Sequence, residues 1–389
     1  MTGRLRARGA VLLDPGIEVV EAILTTRCNL RCRYCDQGRP KPTAMPADTL
    51  DEAVRRLVSS KLVRPQLTLY GGEPLLAPSL VRRALNRVQE WAPPWMKPDV
   101  KIVTNGTLLD EEALHLLASC KVHVTLSFDG IAAAQDARAP GTFQALDRLL
   151  LRWRRAYPAH FRNRFSVNMT LTPANVPHLS ESFRYFLSRD VRDVGIAPAA
   201  ERAQGWTRRQ ARELARQLAA VRRISIAEFR RSGRIPFRAL RAADAKAPTR
   251  GGPACGCGVH RALCVDVDGR VAPCPAFIQS VLPDRAPIHR RIAAALGGMS
   301  VFDSDVPEAL LRRERRARTL RSLRLPAARR GWNRRCARCA ARASCLICPA
   351  AIALAGGRVP QFHCDLNRLL ARHRVALSRE SSQSPNATT

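Results

Sequence analysis

Between residues 18 and 198, short β-branched runs alternate with longer stretches of helical periodicity, the pattern that βα crossovers and a parallel sheet require. Ile23–Thr26, Gln66–Tyr70, Lys101–Val103, Val122–Ser127, Phe165–Thr170 and Val194–Ala197 read as strands. Between the first two, Leu50, Ala53, Val54, Leu57 and Val58 recur at spacings that set them on one helix face. Six βα units are enough to curve into an open barrel. The expected class is therefore α/β, a partial (β/α)6 barrel over residues 18-200.

Beyond the barrel, residues 207–245 are charged and helix-like, with arginines set among Leu and Ala, and residues 201-249 read as a helical bridge. After Pro248 the texture changes: residues 250-370 hold nine of the thirteen cysteines, so metal bonds can staple a small domain that lacks a large core. The polar stretch 378-389 reads as a disordered tail. No apolar run approaches the ~20 residues that a bilayer crossing needs. Val11-Leu12-Leu13 is too short for a signal-peptide core, and a cytoplasmic protein is expected. Reductants there keep thiols from pairing, so the cysteines point to metal or redox-cofactor ligation.

Cys28, Cys32 and Cys35 directly follow the first strand, and three thiolates within eight residues can wrap one face of a four-iron cubane, leaving one iron open. An open coordination position is what a catalytic metal centre needs. The plain alternative is one buried helix face, which the interleaved Arg31 and Arg33 and the following Gly38 and Pro40 oppose. With Tyr34 before the last cysteine, this segment resembles the signature of the radical S-adenosylmethionine (SAM) superfamily, and the resemblance covers most of residues 18–198. It implies a [4Fe-4S] cluster whose open iron is chelated by SAM, and reductive cleavage of SAM to a 5′-deoxyadenosyl radical that abstracts hydrogen from a substrate. It also implies a flavodoxin- or ferredoxin-type electron donor.

Further matches fall at strand ends, where α/β folds place ligands. Gly71-Gly72-Glu73-Pro74 resembles the glycine-rich element that holds the methionyl ammonium, its alternative being an ordinary turn. Thr104-Asn105-Gly106 and Ser127-Phe128-Asp129-Gly130 resemble elements near the ribose and adenine. Asn-Gly and Asp-Gly are also hairpin signals, but Asp110-Glu111-Glu112 reads as a helix start and favours a βα loop. Asn168 is a further cofactor-binding candidate, with a structural amide as its alternative. Cys120 reads as core packing, and no catalytic acid or base is assigned.

Cys257-x11-Gly269-x4-Cys274, Cys336-x2-Cys339-x5-Cys345-x2-Cys348 and a final Cys364 resemble the SPASM extension of radical SAM enzymes, which carries two auxiliary four-iron clusters. The family's crossed ligation implies Cys257, Cys274 and Cys348 for the first, with Cys264 as fourth ligand and Cys255 competing for that role. It implies Cys336, Cys339, Cys345 and Cys364 for the second. The two-residue gap before Cys348 departs from the family's usual three and leaves that ligand less secure. The rival reading is a zinc-binding, nucleic-acid-binding protein, since Cys-x2-Cys pairs suit tetrahedral zinc and the surroundings are basic.

A net charge of +33, almost all from arginine, implies an anionic partner. SPASM relatives mostly modify peptides, so the expected substrate is an acidic precursor peptide, with sulfatase-type maturation, a carboxylated tetrapyrrole or RNA as alternatives. Pro275 stands where the anaerobic sulfatase-maturing branch carries an acid. The short stretch ahead of the sheet leaves no room for a fused recognition domain, so a separate recognition protein is an expected partner. Arg152, Arg154, Arg155, Arg162 and Arg164, with the basic run Arg312–Arg335, are candidate leader contacts. With aromatic residues at 5%, stacking surface for nucleic acid is scarce.

Overall fold

The computed structural model describes residues 16–35, 41–199, 206–241, 262–272, 274–278, 298–304 and 359–382, with single positions between 280 and 341. Six parallel strands, β1 (Val19–Thr25), β2 (Gln66–Gly71), β3 (Asp99–Thr104), β4 (His123–Ser127), β5 (Phe165–Leu171) and β6 (Val194–Pro198), fall on the six expected segments. β1 begins four residues earlier than expected. The helices between them include α1 (Ala47–Val58), α2 (Pro78–Trp91), α3 (Glu111–Ser119), α4 (Ala132–Arg138), α5 (Phe143–Ala156), α6 (Pro158–Asn163) and α7 (Leu179–Ser188). In α1, Leu50, Ala53, Val54 and Leu57 are buried, as their spacing requires.

Strand order in the sheet is β6-β5-β4-β3-β2-β1-β7-β8. Because β1 to β6 follow one another in space as in sequence, each right-handed crossover lays its helices on the same face, and the sheet curves into a partial barrel. The sheet continues past the expected domain boundary. β7 (Ala262–Val265) runs parallel to β1, with Cys264 opposite Glu21, and β8 (Val271–Ala272) returns antiparallel.

The strands' two faces differ. Val20, Ala22, Leu24, Leu67, Leu69, Val100, Ile102, Val124, Leu126, Val167 and Met169 are buried in the core with the helices. The alternate positions face the lumen, and register aligns them: Glu21 with Thr68, Thr68 with Lys101, Lys101 with His123, Thr125 with Ser166, Ser127 with Asn168. The lumen wall is thus polar, and Glu21, Lys101, His123 and Asn168 keep partial solvent access.

Two of these groups make the fold sensitive to pH. Burial pushes the Glu21 carboxyl from 4.5 up to about 7, against the pull of Lys101, and burial together with Lys101 pushes His123 from 6.5 down to about 4. Glu21 contributes stability below pH 4.5 that is lost as pH rises to about 7. His123 contributes stability above pH 6.5 that is lost as pH falls to about 4. The two slopes oppose each other between pH 4.5 and 6.5. Glu21→Gln leaves the His123 slope alone, so the variant loses on the order of 1–3 kcal/mol between pH 6.5 and 4 while the native chain stays flatter there. Urea titrations at several pH values check this; superimposable curves for the two proteins would contradict it.

α8 (Arg208–Ser232) begins at a capping box between Thr207 and Gln210 and ends at Gly233 in the left-handed conformation. It packs on α7 and on the C-terminal helix α9 (Gln361–Ser382). α9 corrects the expected tail: residues 378–382 are helical, because Leu370 and Leu377 are buried and Glu380 pairs with Arg222 of α8. Residues 383–389 lie outside the described set. Cys120 is a second correction. It caps the C-terminus of α3 and is exposed, since that helix buries Leu114 and Leu117 and the chain turns away at Lys121. No described helix is long and apolar enough to cross a membrane.

Candidate active site

The segment carrying Cys28, Cys32 and Cys35 is a loop at the C-terminal end of β1, so the one-helix-face alternative does not hold. None of the three is in a disulfide, and Cys28 and Cys35 are exposed. The loop is tied to the end of β2, where Gly72 N–H donates to Thr25 O and Glu73 N–H to Arg27 O, both at 2.8 Å. That approach needs the two glycines. A Cβ would stand 2.4 Å from Thr25 O at Gly71, whose φ is +146°, and 2.2 Å from Arg27 O at Gly72.

Glu73 leaves this crossing with its side chain fully buried. Its Oε1 accepts from Thr104 Oγ1 at 2.7 Å and Leu75 N at 3.2 Å, and its Oε2 accepts from Asn105 N at 2.7 Å. Burial pushes its carboxyl up, against these three hydrogen bonds. Among the described residues no ammonium or guanidinium forms an ion pair with it. Thr104 and Asn105 sit at the end of β3, where Asn105 Nδ2 donates to Asn29 Oδ1 at 2.9 Å and Asn29 Nδ2 to Thr107 Oγ1 at 2.8 Å. Asp110 caps α3 by accepting from Ala113 N at 2.8 Å, so the Asn-Gly pair opens a βα loop and not a hairpin.

A buried network holds the other side of the cysteine loop. Tyr34 Oη donates to Asp129 Oδ2 at 2.7 Å, and Asp129 Oδ1 accepts from Arg138 Nη2 at 2.9 Å and Thr170 N at 2.8 Å. The Arg138 guanidinium lies over the Tyr34 ring, 5.3 Å from its centroid, and its Nε is buried without a hydrogen-bond partner. Burial pushes the Cys32 thiol up, and Arg138 works against that rise. Asp129, expected near the ribose, therefore has both oxygens engaged within the protein. Arg138 escaped the sequence reading, because no motif or period marks the last residue of α4.

Ser127 and Asn168 are register partners near the same end of the lumen. In the C-terminal half, Cys264 is buried on β7, and Cys274 precedes the short turn Pro275–Phe277. Cys339 N–H donates to Cys336 O at 3.3 Å. Burial pushes Cys364 up to about 11, and charge interactions from Cys339 and Cys336 are among the smaller causes, so those two thiols lie within electrostatic range of the first turn of α9. Cys255, Cys257, Cys345, Cys348 and the run Arg312–Arg335 lie outside the described residues. Among the described residues no three of His, Cys, Asp or Glu converge on a point fit for a single metal ion. A cubane asks for something else, one thiolate at each of three separate irons.

The candidate leader arginines stand elsewhere. Arg154, Arg155 and Arg162 are exposed, Arg152 Nη2 donates to Leu109 O at 2.6 Å, and Arg164 pairs with Asp99 at 2.5 Å. Asp99 opens β3 and Arg164 precedes β5, so this last pair marks the N-terminal end of the strands, opposite the cysteine loop.

Residues 22–184 match the family model described as Radical SAM superfamily. Over 155 residues the chain is 33% identical to GTP 3',8-cyclase of Xanthomonas axonopodis pv. citri (strain 306), covering 36% of this chain and 42% of that protein. It is 24% identical over 189 residues to the cysteine-type anaerobic sulfatase-maturating enzyme of Clostridium perfringens (strain 13 / Type A), covering 45% of this chain and 50% of that one. The chain thus spans half or less of the length of these curated relatives. A solved structure described as native anSMEcpe with bound AdoMet and Cp18Cys peptide superimposes with a TM-score of 0.72 at 16% identity, over 95% of this chain and 99% of that one. At that identity the likeness shows the fold.

Proposed function

We propose that this chain, whose residues 22–184 match the radical SAM family model, cleaves SAM reductively and directs the resulting radical at a peptide or protein side chain, in a crosslinking, thioether-forming, epimerising or oxidising reaction. The observation that carries this reading is Glu73, a buried carboxylate with three hydrogen-bond donors and no cation paired with it among the described residues, held against the loop of Cys28, Cys32 and Cys35. When bound, the cluster on those cysteines supplies the electron and SAM the hydrogen-abstracting group. The chain's own residues do the positioning. Glu73 holds the methionyl ammonium, and Thr104 and the Asn105 N–H fix its carboxylate. Tyr34, Asp129 and Arg138 anchor the far side of the loop, while Ser127 and Asn168 border the ribose and adenine.

In this reading residues 18-200 are the radical domain, 201-249 the bridge and 250-370 a SPASM-type domain with two auxiliary clusters. Cys336 and Cys339 lie within electrostatic range of Cys364, which supports the second of these. A peptide substrate is supported by the peptide bound in the structurally similar anSMEcpe. Pro275 after Cys274 supplies no proton acceptor, which weighs against sulfatase-type maturation.

The test is SAM turnover by the anaerobically reconstituted enzyme with short acidic peptides encoded beside its gene, with cellular RNA, and with GTP. A mass change in the peptide is the expected result. A mass change confined to RNA or GTP overturns the peptide assignment and leaves the radical chemistry standing.

A further inference from the structure

The lumen carries charge that the SAM site does not use. Lys101 of β3 projects from the lumen wall between Thr68 and His123. Its ammonium forms no ion pair within 4 Å among the described residues, although Arg238, Glu21, Asp193 and Asp99 lie within electrostatic range. His123 Nε2 is 3.0 Å from Ser166 Oγ, which is 3.0 Å from Thr125 Oγ1, so hydroxyls continue the polar wall toward β5.

A second cation enters from outside the sheet. Arg238 follows Phe237, which bridges to β6 at Val194. Its Nε and Nη2 are taken by the two oxygens of Asp193 at 3.1 and 2.6 Å. Its Nη1 reaches over Gly195. A Cβ at that position would stand 2.8 Å from Arg238 Nη1 and 3.0 Å from Asn168 Oδ1, so the glycine leaves the space that the guanidinium occupies. Asn168 faces the lumen in register with Gly195. Arg241 also pairs with Asp193, and Arg164 with Asp99. The cations Lys101, Arg238, Arg241 and Arg164 therefore outnumber the carboxylates Glu21, Asp193 and Asp99.

We propose that Lys101 and the Nη1 edge of Arg238 form an anion subsite in the barrel lumen, which receives a carboxylate of the substrate below the SAM-binding end of the strands. The proposal rests on the peptide reading, in which the carboxylate belongs either to an Asp or Glu side chain or to a chain terminus. It gives the enzyme a way to select an acidic residue by depth. A carboxylate anchored at Lys101 sets how far the neighbouring backbone stands from the cysteine loop. An amide of the same shape would leave the Lys101 ammonium unpaired, and the loss of such a charge-assisted contact discriminates strongly between the two.

The experiment reads Lys101 directly and needs no peptide turnover. The chain has six lysines, so acetylation kinetics of each can be followed by mass spectrometry on the intact, clustered enzyme with SAM bound. Three probes are compared: acetyl-glutamate amide for the side-chain source, acetyl-alanine for the terminal source, and acetyl-glutamine amide as the neutral control. The expected result is that one or both carboxylate probes slow Lys101 acetylation by about tenfold, while the neutral amide and the other lysines show no change. Gly195→Ala, which displaces the Arg238 guanidinium, weakens that protection, and Lys101→Met leaves peptide-independent SAM cleavage within about twofold while raising the KM for an accepted peptide. Equal effects of the carboxylate and amide probes, or no protection by any of them, overturns the subsite. Failure of the peptide assignment appears separately, as absence of a peptide mass change with Lys101 protection intact.

Discussion

Replacing Cys28, Cys32 and Cys35 together with alanine is expected to abolish SAM cleavage and leave about two-thirds of the iron, because the proposed auxiliary sites belong to a separate part of the chain. The structure supports the separation. The three cysteines sit on a loop anchored by Thr25, Arg27, Asn105 and Asp129, all within residues 16–199, whereas Cys336 and Cys339 lie within electrostatic range of Cys364 in the first turn of α9. Removing three thiols from an irregular, largely exposed loop deletes no core side chain, so the barrel itself stays folded. Iron, sulfide and 5′-deoxyadenosine are measured on anaerobically reconstituted protein. Stoichiometric zinc with negligible iron in the native chain would refute the cluster assignment, and full iron retention in the triple variant would refute the ligand assignment.

Glu73→Ala weakens SAM binding by an order of magnitude or more, on a scale of about 2–5 kcal/mol. Two losses combine. The proposed SAM site loses the Glu73 carboxylate that would face the methionyl ammonium, and Thr104 Oγ1, Asn105 N and Leu75 N lose their shared acceptor. Glu73→Gln separates them, since the amide oxygen still accepts from Thr104 and Leu75 while the negative charge is gone. Equilibrium binding of SAM to each variant, with cluster content checked spectroscopically, measures the difference. Glu73→Gln is expected to lose most of the affinity and Glu73→Ala somewhat more. Unchanged binding in fully clustered variants would reduce Gly71-Gly72-Glu73-Pro74 to a turn.

What the sequence alone determined was local. Strand positions, the α1 face, the βα character of the Asn-Gly loop and the cysteine-bearing loop after β1 all follow from periodicity, caps and spacing within about ten residues, where chain geometry is nearly fixed by residue type. The polar lumen was also legible in principle. A parallel sheet buried on both faces reads as continuous apolar runs, whereas His123 to Ser127 alternates polar with apolar throughout and Lys101 interrupts the apolar run of β3. Only the tertiary structure decided the rest, because its partners are far apart in the chain. Tyr34 meets Asp129 across 95 residues, and β7 pairs with β1 although more than 200 residues separate them. Arg238 lies over Gly195 because the chain returns after α8 to the open edge of β6. Cys120 and residues 378–382 show the same limit in the other direction. An isolated cysteine in a helical pattern looks buried and a polar terminus looks disordered until the fold shows which side faces solvent and what α8 leaves to be covered. Burial and ion pairing are properties of the assembled surfaces, and no local period records them.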